Sequence, residues 1–354
     1  MKRIIEGVQG MFKRILVPLD GSKRAECAVP IAARLARAFG GTIFLVRVVN
    51  TVPSSLPSAP ARPMLIQTVS NVDRELAESY LQGIASSGLL AGISLQTVVP
   101  FGLVPASILT TAADKHADII VMCSHGYTGI TRWWMIGSVA AKVAPFAEIP
   151  VLVLHEGGPL PQERQAGGKP LRVLVPLDGS DYASAALAPA AYLAAALAAP
   201  AQGELHLTHV VQPASPLLHR GRDLQYAQAS RNMARAYLDT LMRQMHEGAD
   251  GADIAALNLQ LSSSVAIDED IAQGVVRVAE HGRNGEGAEV AGGCDLIAMT
   301  AQGHSGPQRW MGSVTERVLH TSRLPLFIIR ASREQVNTYA WSSADAGKSA
   351  GLPG

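Results

Sequence analysis

Only three cysteines occur in 354 residues, Cys27, Cys123 and Cys294, and neither their odd number nor their spacing suits a disulfide framework or a metal-ligand set. They read as reduced thiols, and Cys123, which ends an apolar run, as a small buried hydrophobe. Charge is equally sparse: 17% of residues are Asp, Glu, Lys or Arg, and 30 basic side chains against 29 acidic ones leave a formal charge of +1. The basic residues are dispersed, so no cationic stripe is present to hold nucleic acid. Residues 1–10 carry Lys2 and Arg3 but lack the apolar core of a signal peptide, and read as an extension before Met11. The long alanine-rich run at 183–201 contains Pro189 and follows VPLDGS just as residues 23–40 do, where the matching element carries Arg34 and Arg37. It reads as a packed helix and not as a membrane span. A cytoplasmic protein without membrane or nucleic-acid partners is the expectation. Also missing are G-x-x-x-x-G-K-[ST] and every kinase or metallohydrolase signature, so no strong phosphoryl-transfer catalysis is expected.

What is present occurs twice. RILVPLDGS at 14–22 and RVLVPLDGS at 172–180 differ at one position. GSVAAKV from Gly137 answers GSVTERV from Gly312, and IPVLVLH from Ile149 answers LPLFIIR from Leu324. Matched segments in the same order, about 160 residues apart, mark a duplicated domain and not a solenoid repeat. Two domains are expected, 11–156 and 170–331, joined by a linker at 157–169 of composition GGPLPQERQAGGK and followed by a polar, disordered tail at 332–354.

Within each copy apolar strands alternate with helical patterns, which predicts a parallel sheet covered on both faces. The first copy reads as strand 13–19, helix 22–39, strand 42–49, a proline-rich loop at 52–63, helix 66–87, strand 93–99, helix 104–116, strand 118–123, helix 138–146 and strand 151–155. The second reads as strand 171–177, helix 182–199, strand 204–211, helix 217–246, strand 257–263, helix 268–281, a glycine-rich insertion at 282–293, strand 295–300, helix 313–321 and strand 326–330.

The chemistry is expected around 124–139, SHGYTGITRWWMIGSV, and 301–314, AQGHSGPQRWMGSV. Each leaves an apolar strand, passes through glycines and enters a helix at Gly-Ser. Such a turn lets backbone approach a ligand and offers unpaired N–H groups, a hydroxyl and a positive dipole end to an anion, most naturally a phosphate. Ligands of doubly wound sheets bind beyond the carboxyl ends of strands. Asp20, at the end of the first strand, is therefore expected to share a crevice with the loop and to accept hydrogen bonds from a ribose or base.

VPLDGS, the strand ending Arg47-Val48, the strand running into Ser-His-Gly and the late GSVAAKV together resemble the universal stress protein (UspA) family, and the second copy does so as well. The resemblance covers nearly the whole chain and implies a tandem member. It implies an α/β fold of two Rossmann-like, adenine nucleotide alpha hydrolase-like domains. Each would be a doubly wound five-stranded parallel sheet in order 3-2-1-4-5. It further implies domains paired as a pseudo-dimer through their last strands, a further homodimer being open, and ATP or AMP, with or without magnesium, as ligand. The implied adenosine contacts are Asp20 and Val48, then Asp178 and Val210. The implied phosphate contacts are Gly126, Gly137 and Ser138, then Gly303, Gly312 and Ser313.

The chain departs from the family pattern of G-x-x-G, nine residues, then G-S or G-T: Cys123 and Thr300 replace the first glycine, and the spacers are ten residues (127–136) and eight (304–311). A deletion shortens reach whereas an insertion can bulge outward, which ranks the first site above the second.

Each residue also has a plainer use. Asp20 and Asp178 suit an Asp-Gly-Ser turn, and Ser138 and Ser313 suit helix caps. His125, matched by Gln302, reads as a polar loop residue, since no carboxylate at a telling spacing would make it a base. Trp133, Trp134 and Trp310 read as packing groups, and Arg132 and Arg309 as either phosphate contacts or solvated charges. Three functions stay open: nucleotide binding in stress response or signalling, a nucleotide-free interaction scaffold, and a weak ATP hydrolase.

Overall fold

The computed structural model describes residues 11–50, 63–124, 137–155, 170–213, 220–247, 254–282, 293–302 and 311–331. The expected extension, linker and tail, most of the proline-rich loop and of the 282–293 insertion, and Gly126, Gly303, His125, Arg132, Arg309, Trp133, Trp134 and Trp310 lie outside them. The described residues fall into two compact units, 11–155 and 170–331.

In the first unit β1 (Arg14–Pro18), β2 (Thr42–Val46), β3 (Ser94–Val98), β4 (Ile119–Cys123) and β5 (Val151–Leu154) form a parallel sheet in the order β3-β2-β1-β4-β5. Helices α1 (Lys23–Glu26), α2 (Ala28–Phe39), α3 (Pro63–Ala85), α4 (Val104–Asp114) and α5 (Ala140–Phe146) connect them. The second unit repeats this with β6 (Leu171–Pro176), β7 (Gly203–Val211), β8 (Leu259–Ile267), β9 (Leu296–Thr300) and β10 (Leu326–Ile329), in the order β8-β7-β6-β9-β10. Its helices are α6 (Asp181–Ser184), α7 (Leu187–Ala198), α8 (Arg220–Glu247), α9 (Ile271–His281) and α10 (Ser313–Thr321). The sheet order is the expected one, and no helix among the described residues is long and apolar enough to cross a membrane.

The central strands carry no polar alternation because both their faces are covered. Ile15, Leu16 and Val17 in β1, Ile119 to Val121 in β4, and Val173 to Val175 in β6 are fully buried. Each such side chain removed from water contributes about 1.5–3 kcal/mol.

Three of the differences from the expected boundaries have a clear physical cause. The helices read at 22–39 and 182–199 are each broken, at Cys27 and at residues 185–186. Pro30 and Pro189 are the third residues of α2 and α7, where a proline cannot donate to, and clashes with, the carbonyl four residues back, which disfavours a continuous helix through Glu26 or Ala185. β8 runs four residues beyond the expected end, to Ile267, because it pairs with all nine residues of β7. β7 is also less apolar than it reads: Glu204, His206 and Thr208, on one face, are all buried.

Candidate functional site

The Asp-Gly-Ser turn is built identically in both units. Ser22 donates to Asp20 Oδ1 through its backbone N–H at 2.9 Å and its hydroxyl at 2.6 Å, and its oxygen accepts from Ala25 N at 3.1 Å, capping α1. Ser180 does the same with Asp178 Oδ1 at 3.0 and 2.6 Å and with Ala183 N at 3.1 Å, capping α6. The intervening Gly21 and Gly179 have φ of +92° and +86°, a left-handed backbone that favours glycine. The plainer reading of both aspartates therefore holds for one carboxylate oxygen. A carboxylate has two oxygens and about four acceptor sites, so a turn role and a ligand role are compatible.

At the carboxyl ends of β1, β2 and β4 a cavity of about 230 Å³ brings Asp20, Val48, Gly137 and Ser138 together, with Arg47, Cys123 and Ser124 also in its wall. A second, of about 470 Å³, brings together Asp178, Val210, Gly312 and Ser313, with His209, Thr300 and Gln302. The second is the larger of the two. Gly126 and Gly303, the remaining expected contacts, lie outside the described residues.

The Gly-Ser entry differs from the expectation in two ways. The N–H of Gly137 donates to the Ser124 carbonyl at 2.7 Å, and that of Gly312 to the Ala301 carbonyl at 2.7 Å. These amides close the neck of each loop, which leaves the next ones for an anion: Ser138, Val139 and Ala140 in one unit, and Ser313, Val314 and Thr315 in the other, precede the first intrahelical donors, Ala141 and Glu316. Neither serine caps its helix, the cap positions being Val139 and Gly312. Gly312 is extended (φ −66°, ψ 150°), which puts Ser313 inside the first turn, past the position from which a hydroxyl reaches back to the N2 and N3 amides. Both serines are exposed at the crevice.

Where the family pattern has its first glycine, Thr300 is buried and its hydroxyl donates to the Gln302 carbonyl at 2.5 Å, while Thr315 Oγ1 donates to the Thr300 carbonyl at 2.9 Å. The threonine thus holds the start of its own loop. Cys123, its counterpart, is buried in the first cavity wall.

Sequence reading missed the side chain before each valine. Arg47 and His209 take corresponding places, since β2 and β7 pair with Arg14 and Arg172 in matching register. The Arg47 guanidinium lies 4.9 Å from the centroid of the Tyr80 ring, and Tyr80 donates its hydroxyl to Glu26 at 3.3 Å. Burial and the neighbouring Glu26 raise the Tyr80 phenol above its ordinary value, so it stays a donor. His209 meets Tyr237 edge to face, 6.3 Å between centroids, and the Tyr237 hydroxyl pairs with Ser184 Oγ at 3.1 Å. Burial holds the His209 ring below the usual imidazole range, opposed by the Asp178 carboxylate and the Leu177 backbone. The signal available in advance was positional, a basic residue just before the valine near the carboxyl end of the second strand in both copies. Among the described residues no group of three or more His, Cys, Asp or Glu is arranged to hold a metal ion.

Comparison with known proteins agrees with this architecture. The model of the universal stress protein family matches residues 11–155 and 171–330. A universal stress protein of Methanocaldococcus jannaschii is 29% identical over 157 residues, 44% of this chain and 89% of its own length. One from Bacillus subtilis is 26% identical over 149 residues, 41% of this chain and all of its own. The crystal structure of a universal stress protein from Archaeoglobus fulgidus superposes with a TM-score of 0.58 at 18% identity, covering 91% of this chain and all of that one, a likeness of fold.

Proposed function

The chain belongs to the universal stress protein family, and from that premise we propose that it binds an adenine nucleotide, ATP or AMP, in both crevices and acts in stress response or signalling without strong catalysis. The observation that carries this reading is that a first-strand aspartate and the Gly-Ser entry of a helix line one cavity, twice over. The aspartate suits ribose or base hydroxyl and amino donors. The first-turn amides and Ser138 or Ser313 suit phosphate oxygens, and the helix dipole favours the same charge. The second cavity, about 470 Å³, is of the size that small-molecule ligands occupy, while the first, about 230 Å³, is below it. The test is calorimetry on the full chain with magnesium ATP. Two binding events are expected, and no heat and no retention on dialysis at millimolar nucleotide overturns the reading.

A nucleotide-free interaction scaffold is the second reading. What favours it is that the Gly137 and Gly312 amides and the Thr300 hydroxyl are already engaged within the protein. Nucleotide that survives purification removes it.

A further inference from the structure

We propose that the basic residue near the carboxyl end of the second strand of each unit, Arg47 just past β2 and His209 within β7, makes the two crevices unequal: the first holds an anionic adenylate with a permanent cation, while the second tightens its hold as the medium becomes acidic. This rests on the nucleotide reading of both sites.

The two positions are structurally equivalent, as their strand register shows. Each residue lines its cavity beside the aspartate, and each is the one basic side chain among the described lining residues. The support beneath them is also duplicated. A tyrosine from the helix after the second strand, Tyr80 or Tyr237, packs against the basic group and is tied by its hydroxyl to the short first helix, at Glu26 or Ser184. What differs is the group that stands on it. The guanidinium of Arg47 packs against Gly21, where an added Cβ would come within 3.3 Å of its Cζ; at Gly179 the same construction meets no described residue within 4 Å.

The charge balance follows. In the first crevice Asp20 faces Arg47, and Glu26 is paired with Lys23 at 2.8 Å. Arginine stays protonated across the physiological range. In the second, the groups facing His209 are the Asp178 carboxylate and Leu177 backbone at the end of β6, and Tyr237 on α8, which also feels Asp181 of α6. The imidazole Nδ1 is buried and has no hydrogen-bond partner among the described residues. Among the described lining residues a neutral ring adds no positive charge beside the anion site, and protonation adds one. A unit charge a few ångströms from a bound anion at a partly shielded surface changes affinity by about tenfold or more. Phosphates of the nucleotide titrate in the same range, but they do so at both sites, so the arginine site is the internal control.

The experiment is titration calorimetry of the full chain with magnesium ATP from about pH 8 to about pH 5, with far-UV circular dichroism confirming the fold at each pH. The wild type is expected to show one site whose profile follows the nucleotide phosphates alone and one that tightens about tenfold relative to it on acidification. His209→Arg is expected to bring the second profile onto the first, Arg47→His to give the first site the added acid response, and His209→Gln to remove that added response from the second site. Two sites with the same pH profile, or a profile that His209→Arg leaves unchanged, overturn this inference and leave the nucleotide reading standing. No binding at any pH overturns both.

Discussion

Asp118 and Arg14 hold the amino ends of β4 and β1 together with a reciprocal pair of hydrogen bonds, Arg14 N to Asp118 Oδ2 and Asp118 N to the Arg14 carbonyl, both 2.8 Å. Asp295 and Arg172 repeat it in the second unit, again at 2.8 Å for each bond. The aspartate side chain adds a rung where the strand ladder has not yet begun, at the end of the sheet opposite the crevice.

Removing that rung leaves a strand-end amide without its partner. Asp118→Ala and Asp295→Ala are expected to destabilise their units by about 1–3 kcal/mol, the second more because Asp295 is buried and Asp118 only half-buried. Urea unfolding followed by circular dichroism measures this. Equal midpoints for mutant and wild type would remove the role given to the clasp.

A pH dependence of stability is expected in the second unit. His206 is buried with Nδ1 at 2.7 Å from Ser262 Oγ and Nε2 at 2.8 Å from Ser264 Oγ, and Ser262 donates to Glu204 at 2.6 Å, which in turn pairs with Arg172 at 2.7 Å. Burial pushes its pKa down to about 4, with Glu204 opposing. Between that value and the ordinary imidazole range the unfolded chain binds the extra proton, so stability is full above about pH 6.5 and declines as pH falls toward about 4, by on the order of 3 kcal/mol. In the first unit Phe44 holds the equivalent place, beneath Arg14 at 5.2 Å. His206→Phe is expected to lessen the slope of unfolding midpoint against pH; an unaltered slope assigns it to other groups.

The Asp-Gly-Ser turns should differ in their tolerance of a side chain. Gly179→Ala meets no described residue within 4 Å and suffers the left-handed backbone, about 1 kcal/mol. Gly21→Ala suffers the same and also presses on Arg47, so it is expected to cost more and to weaken nucleotide binding in the first crevice. Equal unfolding midpoints for the two variants would contradict the close packing of Arg47.

Asp20→Ala and Asp178→Ala are each expected to remove one of two nucleotide-binding events, with affinity at the affected site falling at least tenfold. Calorimetric stoichiometry reads this directly. Two undiminished events in both variants would take the carboxylates out of the site.

Much of this protein was legible in advance because its signals are local or repeated. Apolar runs such as DIIVMC and DLIAMT, the duplicated VPLDGS and the spacing of helical segments report periodicity and turn chemistry, which neighbouring residues settle among themselves. They determined an α/β chain of two like domains with an aspartate at the end of the first strand and a Gly-Ser helix entry after the fourth. Tertiary structure alone decided the rest. Arg47 meets Tyr80, His206 meets Ser262, and the Gly137 amide turns back to Ser124 only once strands and helices pack. Such pairings depend on the relative register and orientation of elements far apart along the chain, which no local pattern encodes.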